Sequence, residues 1–200
     1  MKSVFLSLIV LTVFVFASEN DTTLSFEATE GTLISVDVSP NGKTIAFDLL
    51  GHIYLMPSNG GKAEAITKGS SWNMLPRFSP NGEKILFTSD RSGSDDLWVQ
   101  NIKTGSMKNV SKMDIPVHQG TWSFDGKHVF GTGLNMKVRH PVFRFNMYGD
   151  KQEIIPPGSR APVTHFEMHP SNGLLYFTCL LYTSDAADEG LGVDLGGRRI

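Results

Sequence analysis

The chain predicts an all-β fold, a β-propeller of four-stranded antiparallel blades, and three observations carry that prediction. A segment recurs four times: VDVSPNGKTIAF at 36–47, PRFSPNGEKILFTSD at 76–90, TWSFDGKHVFGT at 121–132 and FEMHPSNGLLYFT at 166–178. With Ser39, Ser79, Ser123 and His169 as equivalents, the intervals are 40, 44 and 46 residues, a period that fits propeller blades or helical pairs. Inside each unit, apolar residues alternate with period two between Gly, Pro and Asn turns, which selects strands.

In the first unit a strand ending at Val38 meets Ser39-Pro40-Asn41-Gly42, where Pro presets the first turn angle and Asn-Gly accepts positive φ. Lys43 to Asp48 follows as a strand with Ile45 and Phe47 on one face. His52 to Met56 is the next strand, Ser58-Asn59-Gly60-Gly61 a hairpin turn, and Ala63 to Thr67 the fourth strand. The second unit repeats this order: Phe78, the turn Ser79-Pro80-Asn81-Gly82, a strand with Ile85 and Phe87, Leu97-Trp98-Val99, the turn Lys103-Thr104-Gly105, then Met107 to Val110. Tyr54 and Trp98 correspond. In the third unit Phe124 replaces the turn proline, and Gly133 to Pro141 is inserted before Val142 to Met147. The fourth reaches only Thr178, so the expected architecture is about three blades plus the start of a fourth, over 31–178.

Composition excludes several classes. At 200 residues, 40% hydrophobic and 19% charged, the chain is neither disordered nor polytopic. With 18 basic and 20 acidic residues it has no field to attract nucleic acid. The one cysteine, Cys179, has no internal partner, and no Cys/His group has zinc-ligand spacing.

The N-terminus reads as a signal peptide over 1–17. Lys2 is the positive flank, Val4 to Phe16 is broken only by Ser7 and Thr12, and Val15 and Ala17 suit a cut after Ala17. That core is shorter than the roughly 20 residues of a spanning helix. The expectation is an exported, periplasmic or extracellular product, free of the membrane after cleavage, with 18–30 as a linker. At the other end, Cys179 to Ile200 breaks the strand pattern. It resembles the conceptual translation of a transposase-type sequencing adapter: Cys179 to Asp188 reads as one constant block and Val193 to Ile200 as a second, flanking an index. On that reading 179–200 is a non-native tail, and residues 1–178 carry 16 basic and 16 acidic side chains.

SPNGKTIAF, the Asn59-Gly60-Gly61 turn and SPNGEKILFTSDRSGSDDLWV resemble the TolB-like propeller repeat, with its Ser-Pro-Asp-Gly turn and Asp-Arg element. Asn41 and Asn81 stand where that family usually has Asp, while Asp125 matches but follows Phe124. More narrowly, DVSPNGKTIAFDLLGHIYLMPSNGGKAEAITKG followed by PRFSPNGEKILFTSDRSG is similar to the N-terminal propeller of secreted amidohydrolase-family proteins. The resemblance implies a non-catalytic scaffold or gate whose partner is an intramolecular, metal-dependent hydrolase domain downstream. The alternatives are the propeller of a tricorn-like or prolyl-oligopeptidase-like serine peptidase, and a stand-alone TolB-like module that binds a cell-envelope protein.

No catalytic, cofactor-binding or metal-ligating residue is expected within the chain; a divalent metal would belong to the missing domain. Of His52, His118, His128, His140, His165 and His169, no two form a His-x-His pair, and no GxSxG elbow is present. In Ser89-Asp90-Arg91, Asp90 is expected to bond backbone N–H groups, and Arg91 to pair with Asp95 or Asp96. Trp72, Trp98 and Trp122 are expected to pack between blades. Asn20-Asp21-Thr22 and Asn109-Val110-Ser111 match glycosylation acceptors.

Because both faces of a blade are apolar, a partial stack leaves faces uncovered. A monomeric protein of residues 18–178 is therefore expected to aggregate or melt without a cooperative transition. A sharp calorimetric unfolding peak from a monomer would contradict this.

Overall fold

The computed structural model describes residues 31, 33–134, 141–148, 150–155 and 163–179. The signal-peptide and linker readings, the 179–200 tail reading apart from Cys179, the Asn20 motif and His140 lie outside them. Fourteen strands are described, grouped in four antiparallel sheets. The first contains β1 (Val36–Val38), β2 (Thr44–Leu49), β3 (His52–Pro57) and β4 (Glu64–Ala65), in that order. The second contains β5 (Asn73–Phe78), β6 (Lys84–Ser89), β7 (Asp96–Asn101) and β8 (Met107–Asn109). The third contains β9 (Val117–Trp122), β10 (His128–Gly133), β11 (Val142–Asn146) and β12 (Lys151–Ile155), and β13 (Val163–Met168) pairs with β14 (Leu175–Cys179) as the start of a fourth. The first strands β1, β5, β9 and β13 lie side by side. These are the blades of the expected all-β propeller.

The first three strand-one-to-two reversals are set by the same hydrogen bonds. Ser39 Oγ donates to Asn41 Oδ1 (2.8 Å) and accepts from Thr44 N (2.9 Å), and Asn41 Oδ1 also accepts from Lys43 N (3.0 Å). Ser79 with Asn81 and Ser123 with Asp125 repeat the pattern. Asn and Asp thus supply the same acceptor oxygen, so Asn41 and Asn81 leave the turn unchanged. The glycine that closes each turn has φ between +66° and +72°, a region an L side chain rarely enters. In the fourth turn His169 replaces Ser, its Nδ1 accepting from Ser171 N (3.2 Å) and Asn172 N (3.3 Å).

Three apolar clusters lie between the four sheets. Ala46 and Ile53 meet Phe78, Ile85 and Phe87 between blades one and two. Leu86, Leu97 and Val99 meet Trp122, Val129, Phe143 and Phe145 between two and three. Phe130 and Val142 meet Phe166 and Leu175 between three and four. Gly120 belongs to the second interface: a Cβ there would stand 2.8 Å from Leu86 Cδ2 and 2.9 Å from Leu97 Cδ2. In blade one Ile45 and Phe47 share a face as expected, a half-exposed one with Val36 (57% exposed) and Val38, while the buried face is the opposite one, carrying Ala46, Asp48 and Ile53. Phe47 stacks on its cross-strand neighbour Tyr54, at 5.5 Å.

Polar groups also tie the blades together. Buried Asp48 accepts from Ser35 N (2.7 Å) in its own blade and from Leu75 N (2.8 Å) in the next. Leu75 sits at φ +58° in a bulge of β5, and Gln119, at the equivalent place in β9, sits at φ +48°. Replacing Asp48 by Ala strands two amides, each costing about 1–3 kcal/mol. The expected loss for Asp48→Ala is about 2–6 kcal/mol for the two amides together, with Asp48→Asn roughly midway, read locally as faster hydrogen exchange at the Ser35 and Leu75 amides. A loss under about 0.5 kcal/mol would refute the clasp.

Candidate functional site: the axial cleft

At the turn end of the first strands, four blades converge on one cleft of about 540 Å³. Counting from the turn Ser or His, the residue two before it is Asp37, Arg77, Thr121 and Glu167 in successive blades, and all four line the cleft. The residue just before it is Val38, Phe78, Trp122 and Met168, and the residue just after is Pro40, Pro80, Phe124 and Pro170. The cleft is thus built in tiers, an inner polar set and an outer rim of three prolines and one exposed phenylalanine. The rim is itself packed turn on turn: the Cβ positions of Gly82, Gly126 and Gly173 lie 3.5 Å from Pro40, Pro80 and Phe124. Phe124 therefore does the work of the proline it replaces.

The inner groups are held by the blade interfaces. Asp37 Oδ2 accepts from Phe78 N at 2.6 Å, and Trp122 Nε1 donates to Arg77 O at 3.1 Å. Arg77 Nη1 donates to Pro76 O at 3.0 Å. Although Glu167 keeps much of its surface in solvent, the packing around it raises its carboxyl above the usual range, with Arg77 opposing and Asp37 reinforcing the shift. Thr121 is buried, 5% exposed, and its hydroxyl has no hydrogen-bond partner among the described residues. At the cleft edge, Asp125 is held below the ordinary carboxylate range by the Ser123 hydroxyl and the Lys127 amide. At the opposite end of β9, burial lowers the His118 imidazole and Asp95 opposes it.

The residues singled out in the sequence go elsewhere. Asp90 Oδ1 accepts from Trp72 N (2.8 Å), the backbone role expected. Arg91 does not pair with Asp95 or Asp96. Its Nη2 donates to Asn73 Oδ1 (2.5 Å) and its Nε to Ser89 Oγ (3.1 Å), while the guanidinium lies 5.0 Å from the Trp98 ring and 5.5 Å from that of Phe87. Asp96 is instead taken by Ser111 Oγ, Ser92 Oγ and Asn109 Nδ2. That Asn109 is committed to the turn and flanks buried Val110, which argues against its use as a glycan acceptor. Trp98 and Trp122 pack between blades as expected, but Trp72 is 54% exposed and only covers Gly51. Among the described residues no group of three or more His, Cys, Asp or Glu side chains is placed to hold a metal. His169 is in the fourth turn, His52 and His128 are half-buried on strands, and His165 is exposed.

Comparison with known proteins agrees with the geometry. The family described as the TolB beta propeller domain matches residues 11–178. The chain is 29% identical over 89 residues to Tricorn protease homolog 1 of Streptomyces coelicolor, covering 44% of this chain and 8% of that protein. It is 40% identical over 47 residues to the Tol-Pal system protein TolB of Wigglesworthia glossinidia brevipalpis, covering 24% and 10%. The matched regions thus span about a tenth of these relatives' length. The crystal structure of TolB from Acinetobacter baumannii has the same fold, with a TM-score of 0.56 at 23% identity over 75% of this chain and 41% of that one.

Because folding raises the Glu167 pKa, its charged form is penalised in the fold; the penalty is absent below the free carboxyl range and complete above the raised value. Glu167→Gln is therefore expected to stabilise the protein at pH 7 and to have no effect at pH 3.5. Equal effects at both pH values in thermal melts would count against this.

Proposed function

Because the chain belongs to the TolB β-propeller domain family, we propose that it is the non-catalytic, polypeptide-binding propeller of an exported protein, with the axial cleft as its contact surface. The observation that carries this reading is the tiered cleft, in which four equivalent positions present four different polar side chains. A folding requirement common to all blades would favour one residue type at that position; Asp, Arg, Thr and Glu instead make an asymmetric surface suited to a specific ligand. The rim of Pro40, Pro80, Phe124 and Pro170 adds rigid apolar contact at little cost in side-chain entropy. Export is supported by the apolar run Val4–Phe16 behind Lys2, and a cell-envelope setting by the Tol-Pal system relative.

In the parent protein the propeller gates or scaffolds a hydrolase. The first two repeats favour an amidohydrolase domain that would bring its own metal, and the match to a tricorn protease homologue favours a serine peptidase. A His-x-His pair or a GxSxG elbow in the sequence that follows the propeller would separate the two.

Photo-crosslinking tests the contact surface. A benzoylphenylalanine at position 124, on the rim, is expected to capture polypeptide in envelope preparations, and one at position 148, beside the outer strand of blade three, is not. Equal capture at both positions, or none at 124, would remove the cleft from consideration.

A further inference from the structure

This inference rests on the polypeptide-binding reading and names the chemistry the cleft selects. We infer that the axial cleft takes a cationic side chain, lysine or arginine, of its polypeptide ligand, with the aliphatic stem against the rim and the charged tip among Asp37, Glu167 and Thr121.

The inner set holds two carboxylates and one guanidinium, so one negative charge is unbalanced when both acids are ionised. Arg77 is partly committed, donating to Pro76 O. Asp37 commits Oδ2 to Phe78 N, and no described residue donates to its Oδ1. Glu167 lacks enough local compensation: packing and Asp37 both disfavour its charge, against Arg77 alone. An incoming cation supplies the missing compensation, whereas an incoming anion meets two carboxylates for one arginine. Thr121 is the independent observation. Its side chain, 95% removed from solvent, lines the cleft and makes no hydrogen bond to a described residue, and its hydroxyl keeps enough open surface to accept from a ligand N–H.

The tiers select the stem as well. A ligand group reaching the inner set must pass the rim of Pro40, Pro80, Phe124 and Pro170, and methylene groups can lie against those rings while an ammonium or guanidinium stays with the acids. Phe124, the only aromatic of the rim and 53% exposed, offers a π face to the passing cation.

The test uses the full chain and three blocked pentapeptides, acetyl-Ala-Ala-X-Ala-Ala-amide with X lysine, norleucine or glutamate, titrated by NMR. The lysine peptide is expected to bind about tenfold tighter than the norleucine peptide, the size of one charge-assisted hydrogen bond, with glutamate weakest. Glu167→Gln is expected to bring lysine and norleucine together, and Thr121→Val to weaken lysine selectively; amide spectra report that each variant is folded. Equal affinity for lysine and norleucine overturns the cation inference. If Phe124→Ala then weakens both equally, the polypeptide-binding reading stands without it. Absence of binding by all three peptides, together with failed crosslinking at position 124, overturns both.

Discussion

Every contact between blades depends on one phase relation. Strand side chains alternate with period two, so the residue just before the turn serine and the residue two before it must point to opposite faces. In this protein the first set, Phe78, Trp122 and Met168, packs back on the preceding blade, and the second set lines the axial cleft. The turn fixes the phase, because Ser Oγ and the Asn carboxamide or Asp carboxylate oxygen leave only one register for the strand that follows. A slip of one residue would exchange Arg77 with Phe78 and drive a guanidinium into the first interface. The same relation ties stability to the candidate site, since the groups that hold the register, Asp37 on Phe78 N and Trp122 on Arg77 O, also belong to the cleft.

Interfaces alone do not set how adjacent first strands meet. Leu75 and Gln119 occupy the left-handed region at equivalent positions, and both β5 and β9 lose regular pairing there. A non-glycine residue in that region costs of order 1 kcal/mol and persists only where its surroundings hold it. At Leu75 the holder is Asp48, whose second oxygen takes the Leu75 amide while the first takes that of Ser35. One buried carboxylate therefore joins the start of the first blade's inner strand to the bulge of β5. Bulges add twist and re-aim side chains, which is consistent with four separate sheets sharing a single cleft.

The blades, the turns and the strand order were legible in the sequence because each rests on local chemistry: Pro and Gly at turns, period-two alternation, and an interval of 40–46 residues. What failed to be legible depended on neighbours. Alternation placed Ile45 and Phe47 together, but it does not say which face a following blade covers, and the covered face is that of Ala46 and Ile53. Charge spacing assigned Arg91 to the nearby acids, yet Asp96 is satisfied by Ser111, Ser92 and Asn109, and the planar cation gains more over Trp98 and Phe87 beside Asn73. The cleft was missed because Asp37, Arg77, Thr121 and Glu167 share no residue type and form no motif. The signal lay in their common offset from the turn, visible once the four repeats are aligned on Ser39, Ser79, Ser123 and His169.

That offset explains why binding chemistry can be concentrated there. Packing fixes the interface positions as apolar and shape-matched, and turn geometry restricts the serine, the Asn or Asp, and the glycine. The position two before the turn lines the cleft, and its side chain is not one of those that form the apolar clusters between blades. Substitution there costs the fold little, provided a carboxylate such as Asp37 is replaced by another acceptor for the next blade's amide. A repeat architecture thus separates the two demands by residue offset, one set of positions bearing the fold and its neighbour along the same strand free to diverge blade by blade. The sequence Asp, Arg, Thr, Glu is the pattern such freedom produces when a single asymmetric ligand, and not the ring's own symmetry, sets the choice.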